Sequence, residues 1–156
     1  QWVGVFVNAP IPRVADTVAR LRLAAVQLHG DENRQYIKDL RSELGSHCEI
    51  WKAHRVKNRV PQLEETGADR LLLDTFREDV RGGTGKQFDW SLLEGRDQKN
   101  TILSGGLTPD NAGEADAHQL FALDVNSGVE DEPGVKSETK LKAFFRALRG
   151  QGRSGQ

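Results

Sequence analysis

Short apolar segments alternate with amphipathic segments along the chain, and this alternation most constrains the fold. Six apolar segments predict β-strands, at residues 2–7, 24–28, 48–53, 70–75, 101–104 and 120–125. Two further segments, residues 11–21 and 135–148, carry apolar residues at helical spacing. Strands that begin roughly every 20–30 residues, with helices between them, are typical of βαβ units around a parallel sheet.

Two architectures accommodate such units, an open doubly wound sheet and a (β/α)8 barrel. A complete barrel needs about 200 residues or more, whereas this chain has 156. Six units cannot supply eight strands. The residues alone therefore leave two alternatives, an open sheet or an incomplete barrel.

Composition excludes several classes of function. The chain has a formal net charge of −1, which argues against a general nucleic-acid binder, since phosphate backbones select basic surfaces. No apolar stretch approaches the roughly 18 residues of a membrane span. A single cysteine, Cys48, excludes an internal disulfide framework. We therefore expect a cytoplasmic protein in which Cys48 is a structural thiol, and no metal site, because the histidines lack metal-ligand spacing.

Polar residues and glycines directly follow the predicted strands. These candidate site residues are His29, Asp74, Gly105, Gly106, Asp124, Ser127 and Gly128. Because they follow the C-terminal ends of strands, we expect them on the face that holds the active site in α/β folds.

Glycines after the last two strands suit a phosphate group. In residues 104–106 and 126–128, glycine lets backbone amides approach an anion closely. A helical turn after the second loop would add its positive N-terminal end. Alternatively, these glycines only shape tight turns, but their occurrence at two consecutive strand ends favours phosphate binding. Thr108 and Pro109 are predicted to begin the next helix.

Two side chains and one loop have both a functional and a structural interpretation. Asp74 ends an apolar strand, where a carboxylate can act as a general acid or merely cap the following loop. His29 hydrogen-bonds a substrate or closes a turn. The long loop after Asp74 contains Gly82, Gly83 and Gly85, and it is either a lid over an active site or a plain flexible loop.

Taken in order, the motifs of this chain resemble the phosphoribosylanthranilate isomerase family. The resemblance covers residues 1 to about 149, and its matching segments are residues 3–8, 26–30, 72–75, 82–90, 103–111, 123–130 and 133–136. Residues 88–93 also resemble family members that are fused behind indole-glycerol-phosphate synthase in one polypeptide.

The resemblance implies a (β/α)8 TIM barrel that needs no cofactor. The implied reaction is the Amadori rearrangement of N-(5-phosphoribosyl)anthranilate to 1-(2-carboxyphenylamino)-1-deoxyribulose 5-phosphate, in tryptophan biosynthesis. Asp74 would be the general acid that protonates the furanose ring oxygen. Gly105, Gly106, Ser127 and Gly128 would hold the phosphate. His29 and Asp124 would line the rest of the substrate site.

The chain departs from the family pattern at the general base. That base is a cysteine in a Lys-Ile-Cys-Gly-like motif after the first barrel strand, and this chain has no such motif. A substrate-contacting arginine of the second unit has no counterpart either. We therefore expect about six units, the third to the eighth. Residues 1–149 would form the C-terminal three quarters of the barrel domain, followed by a disordered tail at residues 150–156.

Two alternatives follow from this departure. The chain alone would be a catalytically inactive phosphate-binding fragment that needs a fused or complementing N-terminal segment. Otherwise it is a related phosphate-binding barrel such as indole-glycerol-phosphate synthase, for which Lys52 would be the catalytic lysine, although the surrounding pattern fits the isomerase better.

Overall fold

A computed structural model describes residues 1–56, 60–75, 90–93, 95 and 97–150. Six strands form one sheet in chain order: β1 (Val3–Phe6), β2 (Ala25–Leu28), β3 (Glu49–Val56), β4 (Arg70–Thr75), β5 (Thr101–Ser104) and β6 (Ala122–Asp124). β2 pairs in parallel with β1 and with β3, and β5 pairs in parallel with β6. The predicted α/β class with a parallel sheet is therefore confirmed, and each strand lies where the sequence predicts one.

Within the described residues, five α-helices accompany the sheet: α1 (Ile11–Leu21), α2 (Arg34–Leu44), α3 (Leu63–Thr66), α4 (Ala112–Ala117) and α5 (Glu138–Gly150). The predicted boundaries of α1 are confirmed, but the prediction that the last helix begins at residue 135 is wrong. Val135–Lys136 forms a strand, β8, that pairs antiparallel with β7 (Glu130–Glu132). Among the described helices, none combines the length and the apolar character that a membrane crossing requires.

Two sequence-based predictions fall mainly on residues that the structure does not describe. The predicted lid residues Gly82, Gly83 and Gly85 lie outside the described residues. So does the predicted tail from residue 151 onward, whereas Gly150 is the last residue of α5.

The chain divides into two compact units, of which the first is Gln1–Leu72. Its core forms where β2, buried at all four positions, lies between β1 and β3. Val14 of α1 and Ile37 and Leu40 of α2 are almost completely buried in the same cluster. The helical spacing of apolar residues in the two helices produces this face.

The second unit is Leu73–Gln156. Ile102 and Leu103 of β5 are buried, as are Ala112 and Ala115 of α4 and Phe144 of α5. The small residues of α4 allow α5 to pack closely against it. This core supports the loops that follow β5 and β6.

Cys48 lies directly before β3, and only 2% of its surface is exposed. Burial raises the pKa of the Cys48 thiol. A buried thiol with a raised pKa is a poor nucleophile and a poor base. The structure thus places Cys48 in the core, as expected of a structural thiol.

Three polar side chains form a brace near the start of β3 and β4. Arg70 donates to both carboxylate oxygens of Glu49, from Nε and Nη2, at 2.8 Å each. The indole Nε1 of Trp51 donates to Glu49 Oε2 at 2.7 Å. The hydrogen bond from Arg70 outweighs partial burial and holds the pKa of Glu49 below its ordinary value. Because Glu49 is in register with Ala25, the first residue of β2, this brace lies at the end of the strands opposite His29.

We expect Leu40→Ala to lower the free energy of unfolding by about 2–5 kcal/mol, because it leaves a cavity in a fully buried cluster. Leu21→Ala is the matched control, since the Leu21 side chain is 61% exposed, and should change stability by less than about 0.5 kcal/mol. Urea unfolding of both variants measures the difference. Equal losses would mean that Leu40 is not part of a tightly packed core.

Glu49→Gln should reduce stability at neutral pH, and the difference from wild type should shrink in acid. A carboxyl whose pKa is lowered by folding stabilises the protein above its unfolded-state pKa. That stability is lost as the pH falls through the lower, folded-state pKa. Chemical unfolding at pH 7 and near pH 3 tests this, with the exposed Glu43→Gln as the control. A difference that stays constant over this range would contradict the prediction.

Candidate functional site

Parallel pairing places the ends of β5 and β6 side by side in the second unit. Ser104, the last residue of β5, is in register with Asp124, the last residue of β6. The hydroxyl of Ser104 donates to Asp124 Oδ2 at 3.2 Å. The loops that follow these two strands therefore leave from neighbouring points at the same edge.

The loop after β5 begins with two glycines in left-handed backbone conformations. Gly105 has φ 79° and Gly106 has φ 69°, a region that side-chain-bearing residues adopt at a cost. Asn111 holds the rest of the loop, because its Nδ2 donates to the Gly106 carbonyl at 2.9 Å and its Oδ1 accepts from the Thr108 amide at 2.8 Å. The predicted helix start at Thr108 is therefore wrong, and α4 begins only at Ala112.

Gly128 brings the loop after β6 against the loop after β5. A Cβ atom at position 128 would lie 1.8 Å from the carbonyl oxygen of Leu107 and 3.2 Å from Thr108 Cγ2. No side chain fits there without movement of the backbone. Ser127, which begins a short 3₁₀ turn (Ser127–Val129), is exposed beside this contact. The contact brings the two glycine-containing segments together, as the sequence predicts.

Lys136 fixes the loop after β6 from its other side. Its ammonium donates to the Asn126 carbonyl at 3.0 Å and to Glu130 Oε1 at 2.6 Å, and it also contacts Asn126 Oδ1. The hairpin of β7 and β8 thus anchors both ends of the 3₁₀ turn. Sequence reasoning did not identify Lys136, because strands of three and two residues carry no readable alternation.

Asp74 lies one residue before the end of β4 and is partly exposed. The preceding residues Leu72 and Leu73 are completely buried. Position 74 therefore lies where the strand leaves the core, which is the placement that the sequence predicts. A carboxyl group at this partly exposed position is accessible to solvent.

His29 directly follows β2 in the first unit and is partly buried. Its backbone amide donates to the Phe6 carbonyl at 2.8 Å, and its Nδ1 lies 3.1 Å from Gln27 Nε2. Because the amide nitrogen of Gln27 is a donor, Nδ1 accepts and the ring proton is assigned to Nε2. The structure thus places His29 at a strand end, where the sequence predicts it.

A buried ion pair beside His29 is the main feature that sequence reasoning missed. Glu32 Oε2 lies 3.1 Å from Lys52 Nζ, and the two side chains are only 1% and 12% exposed. The carboxylate also accepts from the amides of Asn8 at 2.7 Å and Gly30 at 2.9 Å. Burial alone would raise the pKa of Glu32, but hydrogen bonds from the backbone amides of Asn8 and of Glu32 itself, together with Lys52, lower that pKa below its ordinary value.

Local sequence gives only a weak signal for this pair. Lys52 interrupts an otherwise apolar strand, and Glu32 is one of several polar residues in a loop. They are 20 residues apart, and their contact depends on the register of β2 with β3, in which Leu28 lies opposite Lys52. Among the described residues, no group of three or more His, Cys, Asp and Glu side chains is arranged to hold a metal ion.

The chain matches a known protein family over almost its whole length. The family model for N-(5'phosphoribosyl)anthranilate (PRA) isomerase matches residues 1–147. The tryptophan biosynthesis protein TrpCF of Yersinia pestis is 46% identical over 149 residues, which are 96% of this chain but 30% of that protein. The chain therefore spans less than a third of the length of this relative. The N-(5'-phosphoribosyl)anthranilate isomerase of Caldanaerobacter subterraneus is 39% identical over 153 residues, 95% of this chain and 72% of that protein.

Solved structures agree with this match. The phosphoribosyl anthranilate isomerase of Thermus thermophilus superposes with a TM-score of 0.76 at 35% identity, over 96% of this chain and 72% of that one. A phosphoribosyl anthranilate isomerase in complex with reduced 1-(o-carboxyphenylamino)-1-deoxyribulose 5-phosphate superposes with a TM-score of 0.67 at 31% identity, over 95% and 71%. On the match over residues 1–147 and these relatives, the chain belongs to the N-(5'-phosphoribosyl)anthranilate isomerase family.

Proposed function

We propose that the protein containing this chain isomerises N-(5-phosphoribosyl)anthranilate to 1-(2-carboxyphenylamino)-1-deoxyribulose 5-phosphate in tryptophan biosynthesis. The observation that carries the proposal is the family match over residues 1–147. Consumption of phosphoribosylanthranilate by the purified full polypeptide tests it, and a complete absence of turnover would overturn it.

Asp74 is the proposed general acid. Asp74 lies near the end of β4, directly after the buried residues Leu72 and Leu73, and it is partly exposed. This placement suits a carboxyl that meets a substrate. Proton donation to the furanose ring oxygen breaks the ring C–O bond and leaves a protonated Schiff base. A general base then removes the proton from C2, and the electron pair neutralises the iminium to give the enol, which becomes the ketose product.

The proposed phosphate site is built from backbone and one hydroxyl, at Gly105, Gly106, Ser127 and Gly128. Support comes from the left-handed pair at residues 105 and 106 and from the close approach of Gly128 to the Leu107 carbonyl. Successive amides in such turns form concave sites for anions. His29 and Asp124 are proposed to line the remainder of the substrate site.

We further propose that the six units of this chain correspond to the third to eighth units of a TIM barrel, with residues 1–149 as that part of the domain. The chain covers only 72% of the Caldanaerobacter relative. In β1, Val5 is 60% exposed, and the flanking Trp2 and Val7 are 76% and 63% exposed, an apolar surface that another strand–helix unit would cover. The general base would come from those further units, because Cys48 is buried.

A fused second domain is proposed for the same polypeptide. The Yersinia pestis relative carries the double name TrpCF, and this chain covers 30% of its length. The substrate would be a phosphorylated small molecule. As predicted from composition, the protein would have no nucleic-acid or membrane partner and would be cytoplasmic. The alternative as indole-glycerol-phosphate synthase is not favoured, because the matched family is the isomerase.

Replacement of Asp74 by Asn should lower kcat by about 10²–10⁴-fold, because general acid catalysis contributes a factor of that order. KM should change little, since the side-chain shape is retained. Asp116→Asn, at an exposed position of α4, is the matched control. Steady-state turnover of phosphoribosylanthranilate by the full polypeptide measures both variants. Retention of more than half the activity by Asp74→Asn would remove Asp74 from the proposed role.

Gly128→Ala should raise KM for phosphoribosylanthranilate about tenfold or more, because a methyl group displaces the Leu107 carbonyl and separates the two loops. Gly134→Ala is the matched control. Gly134 has φ 82°, and a Cβ there meets no atom within 4 Å, so this variant introduces backbone strain without a clash, whereas Gly128→Ala introduces the clash without a left-handed φ. Titration with inorganic phosphate, followed by NMR, gives a readout besides turnover. An equal effect of both variants would contradict the proposed phosphate site.

A further inference from the structure

The buried pair of Glu32 and Lys52 has no role in the reaction as proposed above. Four hydrogen bonds, one between the two side chains and three to the backbone of Asn8 and Gly30, connect β3 with the loops that follow β1 and β2 in the first unit. Such a pair is a poor device for stability alone, because removing two charges from water offsets much of their attraction. Its geometry indicates a different role.

Lys52 is fully occupied as a donor. Its Nζ lies 2.6 Å from the Gly30 carbonyl, 3.1 Å from Glu32 Oε2 and 3.3 Å from the Leu28 carbonyl. An ammonium has three N–H groups and no lone pair, so these three acceptors use its whole capacity. Lys52 therefore has no proton directed at a substrate and no lone pair with which to attack one.

The pair holds the backbone of Gly30 from both sides. Glu32 accepts the Gly30 amide, and Lys52 donates to the Gly30 carbonyl. The loop is also close to Asn8, whose Oδ1 accepts the amide of Asp31 at 2.7 Å and would lie 2.4 Å from a Cβ at position 30. The peptide unit that follows His29 is thus fixed in position and orientation.

His29 is consequently fixed on both sides along the chain. Its amide is bound to the Phe6 carbonyl, and the next residue is held by the ion pair. The ring is oriented by Gln27 from within β2. A ring held in this way loses little conformational freedom when it binds a ligand.

We propose that Glu32 and Lys52 are positioning residues that hold the His29 ring in its binding orientation. The role of His29 toward substrate rests on the proposed function, whereas the positioning of its ring does not. Lys52 acts through the Gly30 carbonyl and Glu32 through the Gly30 amide, and neither side chain contacts the reacting atoms.

The test uses the full polypeptide with three changes: Lys52→Met, Glu32→Gln, and the double variant Glu32→Leu with Lys52→Met. The double variant guards against misfolding, because replacing both members of a buried ion pair by apolar residues is often neutral in stability. The matched controls are Lys38→Met and Glu43→Gln, at exposed positions of α2. The ring nitrogen signals of His29 are assigned by NMR as the signals that a His29→Gln variant of the full polypeptide lacks.

We expect the His29 ring signals to shift in all three variants that remain folded, and not in the controls. KM for phosphoribosylanthranilate should rise about tenfold or more while kcat stays within about threefold, because a displaced binding residue weakens ground state and transition state alike. The pH profile of kcat should be unchanged.

Two outcomes would overturn the proposal. One is a folded double variant with wild-type His29 signals and wild-type KM. The other is a fall in kcat with a new pH dependence and unshifted His29 signals, since Lys52 would then act on the reacting atoms. If the wild-type polypeptide has no turnover at all, the proposed function fails, and the NMR signals of His29 alone decide whether the pair positions the ring.

Discussion

Parallel pairing of neighbouring strands is the constraint on which both strand-end clusters depend. In a parallel pair both C-terminal ends lie at the same edge, so the residues that follow them are neighbours whatever their separation in sequence. Ser104 meets Asp124 in this way, and Lys52 reaches the loop after β2. The buried strand β2, with a parallel neighbour on each side, fixes the register of the first unit.

The two clusters hold their loops by different physical means. After β5 and β6, glycines remove side chains so that backbone segments can approach, as at Gly128 and the Leu107 carbonyl. In the loop after β2, the buried side chains of Glu32 and Lys52 instead bind the backbone of Gly30 directly. The first arrangement depends on the absence of side chains, whereas the second depends on two buried charged side chains that lie next to His29 along the chain.

Sequence patterns predicted the strands and α1 because buried faces impose a period that remains readable along one segment. They also predicted strand-end positions for His29 and Asp74, since a polar residue at the end of an apolar run marks where a strand leaves the core. The roles of these residues came from family resemblance and remain predictions.

What the sequence did not predict depends on contacts across the fold. Asn111 replaces Thr108 as the residue before α4, because its side chain bonds to the loop as well as preceding the helix. The pairing of Glu32 with Lys52 depends on strand register over 20 residues, which no local period encodes. The hairpin of β7 and β8 is too short to carry an alternating pattern.

The position of β1 also has a consequence for backbone motion. Among the described strands, β1 has a single neighbour, whereas β2 has one on each side. Hydrogen bonds at the margin of a sheet open by local fraying, while those inside it open only in larger cooperative events. In this chain alone, amide hydrogens of β3 that bond to β2 should therefore exchange with solvent far more slowly than the amides of β1, and a further strand paired with β1 would remove this gradient.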